Sequence, residues 1–329
     1  MELLIVLILS LMIDLSIGEL PSQIHPVVWM GKCIDIMKKP LLELGSRLSG
    51  VLLTIFLLLA FLSLFYLTID LFINFNYLLF IVSAAVLLST TFSIKFLLES
   101  IDLVRIDLNK SLEKARDSLS MLVSRETSQL TPEELTSATV ESLTENLTDS
   151  AIAPLFYLAI FGILGIILQK TILMGSMEES SHLPLILGLL AAVTYRVINT
   201  LDAMVGYKNK INIDIGWFPA KVDDYLNYFP ARLTGVLVVI ASSFMGLNWR
   251  KSWQIMIRDA SNTPSPNSGY PMAAAAGALC VQLVKPGVYI IGDKTDFFNL
   301  DKITEALLLS KVTITLFLAL IMVTLVLWS

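Results

Sequence analysis

VLLTIFLLLAFLSLFYLTIDLFINFNYLLFIVSAAVLLSTTFSI, residues 51–94, decides the fold. Val51–Ile69 is nineteen residues without a charge and Leu71–Ile94 is twenty-four, with only Asp70 and the Asn74–Asn76 turn between them. About 20 consecutive apolar residues cross a bilayer as a helix, because lipid offers the backbone no hydrogen-bond partner. The stretch therefore predicts a transmembrane helical hairpin. Outward from it, Ala151–Leu168 and Val312–Ser329 are further uncharged runs of eighteen, and Leu183–Gly206 is long enough to span if it continues through Arg196. Leu3–Ile13 is an apolar run of only eleven, ended by Asp14.

The composition agrees. The chain has 329 residues, 55% hydrophobic and 16% charged, with a mean hydropathy of +0.75. Ordinary soluble domains are about a quarter charged. We expect an all-α polytopic membrane protein with about five full transmembrane helices, amphipathic or re-entrant helices, and large cytoplasmic helical loops. A single membrane domain over 1–329 divides into a short N-terminal span (1–20), the hairpin (51–69 and 71–94), a cytoplasmic helical loop (99–149), a second hairpin (151–168 and 183–206), a cytoplasmic or re-entrant motif region (207–311) and a C-terminal span (312–329). The net charge of −5 argues against nucleic acid, whose binders need a basic face. Two distant cysteines and two histidines exclude a disulfide framework and a multi-histidine zinc site.

Charge bias predicts sidedness. The loops at 74–76 and 175–182 carry no Lys or Arg, whereas every polar segment with motif-like content carries several. The positive-inside rule puts those segments in the cytoplasm. Gly235–Leu247, thirteen apolar residues flanked by Arg, is then re-entrant or interfacial rather than crossing.

Within the loops, Leu108, Leu112, Ala115, Leu119 and Leu122 recur at helical spacing and predict one surface helix. TPEE starts the next: Thr131 as N-cap, Pro132 at N1, Glu134 closing a capping box. On it Glu141, Glu145 and Asp149 fall at i, i+4, i+8, and Asn146 lies beside them. Such a row is either the solvated face of a loop helix or a site for Mg²⁺, a hard cation that takes carboxylate and phosphate oxygens. Tyr195–Gly235 is the most polar island of the chain. Tyr195, Asn199, Asp202 and Gly206 share one helical face there. Arg196 and Arg232 either snorkel as interfacial caps or hold a phosphate or carboxylate bidentately. His25 is either a structural hydrogen-bonder or a base. Asn267-Ser268-Gly269 suits a backbone nest for an anion. No Walker A, GxGxxG, HExxH or GxSxG pattern occurs.

Taken together, DLSIGELPSQIHPVVWMG (14–31), ARDSLSMLVSRET (115–127), ESLTENLTDSAIAPLFY (141–157), YRVINTLDAMVGYKN (195–209), GWFPAKVDDYLNYFPARLTG (216–235) and SPNSGYPMAAAAGAL (265–279) resemble the adenosylcobinamide-phosphate synthases of cobalamin biosynthesis, a family of integral membrane proteins. Six segments in order over nearly the whole chain make the likeness specific. The resemblance implies ATP-dependent amide formation between a propionate carboxylate of adenosylcobyric acid and aminopropanol or its phosphate. It implies ATP and Mg²⁺ as cofactors, a corrinoid as substrate, the cell membrane as location with a cytoplasmic active site, and other late cobalamin-pathway enzymes as partners besides the lipid bilayer. Under it, His25, Glu141, Glu145, Asp149, Asp202, Arg196 and Arg232 are the catalytic candidates, and Glu141, Glu145 and Asp149 the Mg²⁺ candidates. Asn146, Asn199, Thr200, Tyr207, Lys208, Asp223, Asp224, Asn227 and Asn267 are the candidates for holding corrinoid or phosphate. This chain departs from the family at Glu19, where Asp is usual, and at Tyr270, Met272, Cys280 and Gln282. The alternative is a corrinoid transporter or scaffold of the same pathway. A transporter places its polar groups near the bilayer midplane in broken helices, and the charge-free spans here speak for an enzyme.

Overall fold

A computed structural model describes residues 1–172, 182–207 and 211–328. In chain order its helices are α1 (Glu2–Ser16), α2 (Pro26–Leu42), α3 (Arg47–Phe75), α4 (Tyr77–Ser89), α5 (Ile94–Lys110), α6 (Leu112–Ser120), α7 (Pro132–Leu147), α8 (Ala153–Ile172), α9 (Leu183–Val205), α10 (Trp217–Leu226), α11 (Tyr228–Phe244), α12 (Trp249–Asp259), α13 (Gly269–Leu279) and α14 (Leu300–Trp328). One antiparallel hairpin, β1 (Gln282–Lys285) and β2 (Tyr289–Gly292), precedes α14. Five helical stretches are long and apolar enough to cross a membrane: Arg47–Phe75, Tyr77–Lys110, Pro132–Thr171, Leu183–Val205 and Leu300–Trp328. The all-α polytopic expectation holds. At 15 residues, α1 is too short to be one of the five.

The chain forms two compact units. The first holds Met1–Ser93, Ala153–Leu226 and the residues from Leu320. Here the hairpin turns at Asn76, whose side chain accepts from the Leu78 and Leu79 amides and so caps α4. That helix ends at Ser89 rather than Ile94. The hydroxyls of Ser89, Thr90 and Thr91 donate to carbonyls three residues back, offering the backbone an alternative to the helical ladder. α1 packs on α4 and α9 and buries Leu3, Val6, Leu7, Leu11 and Asp14. The loop anticipated at 175–182 lies outside the described residues except for His182.

The second unit holds Ile94–Ile152 and Asn227–Ala319. The single helix expected over Leu108–Leu122 is two. Ser111 is extended, with φ −159°, and separates α5 from α6. The apolar stripe still converges: Val104, Ala115, Leu119, Leu135 and Ala138 form one buried cluster, flanked by Leu108, Leu112 and Leu122. The Thr131–Glu134 capping box and Pro132 at N1 start α7 as predicted. After Leu147 the helix widens into a π-helical turn, Thr148–Ile152. The small residues of α13 are all buried, and Ser252 Oγ of α12 donates to the Ala274 carbonyl at 2.7 Å. The β-hairpin was not foreseen. Its signal is Pro286-Gly287 between two apolar runs, with Gly287 at φ +72° supplying the turn.

Candidate functional site

The first unit holds the polar island as far as Leu226: the last turns of α9 and the segment that follows. Tyr195 is buried and its ring stacks on Tyr157, centroids 5.7 Å apart. The Tyr157 hydroxyl donates to the Leu226 carbonyl at 2.7 Å, which ties α8 to the end of α10. One residue on, Arg196 Nη1 donates to Asn199 Oδ1 at 3.5 Å, and Thr200 Oγ1 donates back to the Arg196 carbonyl. Asp202 folds onto Gly206, where a Cβ would sit 2.0 Å from its Oδ1, so glycine is required for the carboxylate to lie there. Asp223 is buried in α10, Asp224 half-buried, and Tyr207 exposed. Lys208 lies outside the described residues.

Two groups from the chain's beginning share the field of Arg196. Burial pushes the Glu19 carboxyl up, and the Arg196 guanidinium opposes it. Burial and then Arg196 hold the His25 imidazole below the ordinary histidine range. His25 is the N-cap of α2, and its Nδ1 accepts from the Val27 amide at 3.2 Å. A neutral imidazole that accepts at Nδ1 carries its proton on Nε2. The ring thus offers a donor at its other edge, a different role from the base considered from sequence. His25 binds its proton less readily folded than unfolded, so acid weakens this part of the fold below about pH 6.5. In an imidazole NMR titration of the full chain, with His182→Gln to assign the two signals, His25 is expected to titrate below the usual histidine midpoint. A midpoint at or above it would contradict the capped neutral ring.

The second unit carries the carboxylate row. Glu141 is 2% exposed and accepts hydrogen bonds from Arg125 Nη2 and, at 2.7 Å, from the Tyr289 hydroxyl. Burial and then Glu141 push the Tyr289 phenol up, which keeps it a donor. Glu145, one turn along, faces solvent yet is ringed by protein atoms and lies in the fields of Asp149, Lys285, Glu141 and Arg125. Asp149 sits in the π-helical turn, so ideal α spacing relates only Glu141 to Glu145. Asn146 donates to its own helix at the Ser142 carbonyl, 2.8 Å away. A cavity of about 310 Å³ opens beside Arg125, bordered by Ser137, Glu133, Glu134, Lys294 and Asp296.

Elsewhere in this unit the Arg232 guanidinium lies over two rings, 3.5 Å from the Tyr228 centroid and 4.3 Å from that of Tyr270. Its Nη1 donates to the Tyr228 carbonyl and to Asn267 Oδ1. Asn227 and Asn267 are both buried. Arg125, Lys285 and Tyr289 were not among the sequence candidates. Arg125 stands in the ARDSLSMLVSRET segment, where it ends an apolar stripe; the other two belong to the unforeseen hairpin.

Among the described residues no three His, Cys, Asp or Glu side chains are placed to hold a metal ion. With Glu141 engaged by Arg125, a three-carboxylate cage does not fit. Glu145 and Asp149 are close enough for the charge of one to act on the other.

A family profile described as CobD/Cbib protein matches residues 7–178 and 180–318. Over 308 residues, covering 93% of this chain and 92% of the relative, the sequence is 47% identical to the "Probable cobalamin biosynthesis protein CobD" of Methanothermobacter thermautotrophicus. It is 38% identical over 301 residues to the protein of the same name from Methanococcus aeolicus, covering 88% of this chain and 87% of that one. It is 36% identical over 297 residues to the "Cobalamin biosynthesis protein CobD" of Dehalococcoides mccartyi, covering 89% and 88%. No solved structure matches.

Proposed function

This chain belongs to the CobD/Cbib protein family, and from that premise we propose that it is the membrane enzyme of cobalamin biosynthesis that forms the amide between adenosylcobyric acid and an amino alcohol. The reading is carried by the family match over residues 7–178 and 180–318. A role in cobalamin biosynthesis follows from it; the reaction itself is our proposal. A propionate carboxylate takes the γ-phosphoryl group of ATP, and ADP leaves. The amine nitrogen of aminopropanol or its phosphate then attacks the acyl carbon, the C–O bond to phosphate breaks, and the nitrogen gives up a proton.

The chain's own groups divide this work. In the first unit Arg196 holds anionic oxygens of carboxylate or phosphate, and in the second unit Arg232 carries the same chemistry. In the first unit His25 donates through Nε2 to a substrate oxygen, and the departing phosphate takes up the proton released by nitrogen. Within the first unit Asn199, Thr200, Asp202, Tyr207, Asp223 and Asp224 supply hydrogen bonds of the kind an amide-rimmed corrinoid demands; within the second, Asn227 and Asn267 carry the same chemistry. Mg²⁺, held by Glu145 and Asp149 with phosphate oxygens, would neutralise charge on the transferring phosphoryl group. The positive-inside distribution of Lys and Arg supports a site facing the cytoplasm from the cell membrane.

The test is direct. Purified protein in nanodiscs, given adenosylcobyric acid, ATP, Mg²⁺ and either aminopropanol or its phosphate, should yield a corrinoid heavier by the condensed amine, with ADP and phosphate in equal amounts. No amide product with either amine would sink the reading.

A further inference from the structure

The short helix α11 and its neighbour α12 carry an apolar surface that the fold leaves uncovered. At 17 residues and about 1.5 Å per residue, α11 falls short of the ~30 Å hydrocarbon core. Its inner face is buried, yet Phe229, Val236, Ile240 and Phe244 form an outward stripe, 69%, 37%, 41% and 74% exposed. A turn at Gly246 leads into α12, whose circumference divides into three sectors rather than two. Ser252, Ile255, Met256 and Asp259 are buried against the protein. Trp249, Trp253 and Ile257, at i, i+4 and i+8, form a second sector that is 46%, 46% and 63% exposed. Arg250, Gln254 and Arg258 are exposed on the third.

A surface helix bathed only in water needs one apolar face and one polar face. A third sector that is apolar and bare needs a non-aqueous medium beside the water. Tryptophan at that edge is the side chain suited to the boundary between acyl chains and headgroups. The cation is placed accordingly: the Arg250 guanidinium lies 5.4 Å from the Trp249 ring centroid, and among the described residues it pairs with no carboxylate. Arg258 is already bound to Asp259 and Asp293.

We infer that α12 lies flat in the bilayer interface, with Trp249, Trp253 and Ile257 among the acyl chains and Arg250 on the phosphate of an anionic phospholipid, while α11 dips into the bilayer without crossing it. The surface is separate from the reaction proposed above, and its test needs no corrinoid.

Spin labels at Trp253→Cys, Ile257→Cys and Gln254→Cys, with Cys33 and Cys280 replaced by serine, would be read in nanodiscs of phosphatidylcholine and phosphatidylglycerol. Labels at 253 and 257 should collide with oxygen and be shielded from a water-soluble nickel chelate, and the label at 254 should do the reverse. Equal nickel accessibility at 253 and 254 overturns the inference. So does shielding of 253 and 257 from both reagents, which would mean a protein partner or a second copy covers them. A measurement on the otherwise native chain stands beside this: Arg250→Gln should lower retention of phosphatidylglycerol in native mass spectrometry by about fivefold. Unchanged retention would remove Arg250 from the lipid contact.

Discussion

Replacing Glu141 by alanine is expected to cost about 3–5 kcal/mol of stability, because removing one partner of a buried ion pair strands the other. Glu141 is 2% exposed and the Arg125 side chain 17%. In the variant the guanidinium keeps its charge in a site built to neutralise it, and the Tyr289 hydroxyl loses its acceptor. Since Tyr289 anchors β2 to α7, the hairpin should loosen as well. Thermal denaturation in nanodiscs would show a large drop in midpoint, and hydrogen exchange would rise over 282–292. Glu141→Gln keeps the shape and an acceptor for Tyr289 and should fall between. Removing both charges at once, with Arg125→Met and Glu141→Leu, should recover much of the loss. A Glu141→Ala protein as stable as the parent would mean that the pair holds nothing together.

The second large effect is on chemistry. Arg196→Ala is expected to lower amide formation by roughly 10²–10³-fold, the usual range when one charge-stabilising donor is lost. Arg196 sits one residue after the Tyr195–Tyr157 stack, hydrogen-bonds Asn199, and sets the field felt by Glu19 and His25. Arg196→Lys keeps the charge without the planar fork and should recover only part of the rate. The competing reading makes Arg196 an interfacial cap. It predicts impaired insertion or a lowered melting midpoint with turnover per folded molecule intact. Normal insertion together with full activity in both Arg196→Ala and Asp202→Ala would remove this face of α9 from the site.

Legibility in the sequence followed the range of the forces. The five spans were readable because hydrophobic length is a local sum, and the start of α7 because Thr131, Pro132 and Glu134 cap it within four residues. The break at Ser111 was hidden, since an apolar stripe of helical period continues across it and both halves join one cluster. Asp149 looked in phase with Glu145, but the chain between them enters a π-helical turn that no residue type announces. The Arg125–Glu141–Tyr289 triad spans 164 positions from Arg125 to Tyr289, and pairings at that separation leave no trace in periodicity or spacing. The tautomer of His25 depended on a single backbone contact two residues away, close in sequence yet visible only once the helix start was placed.

The setting of Arg232 has a thermodynamic consequence. A free arginine surrenders its rotamers when it grips a ligand, at a cost of about 0.5–1.5 kcal/mol for the immobilised side chain. With its guanidinium over the Tyr228 and Tyr270 rings and Nη1 bonded to the Tyr228 carbonyl and Asn267, much of that freedom is already lost when the unit folds. Tyr228 and Tyr270 would then govern affinity without touching what is bound, by setting how much disorder remains to be lost.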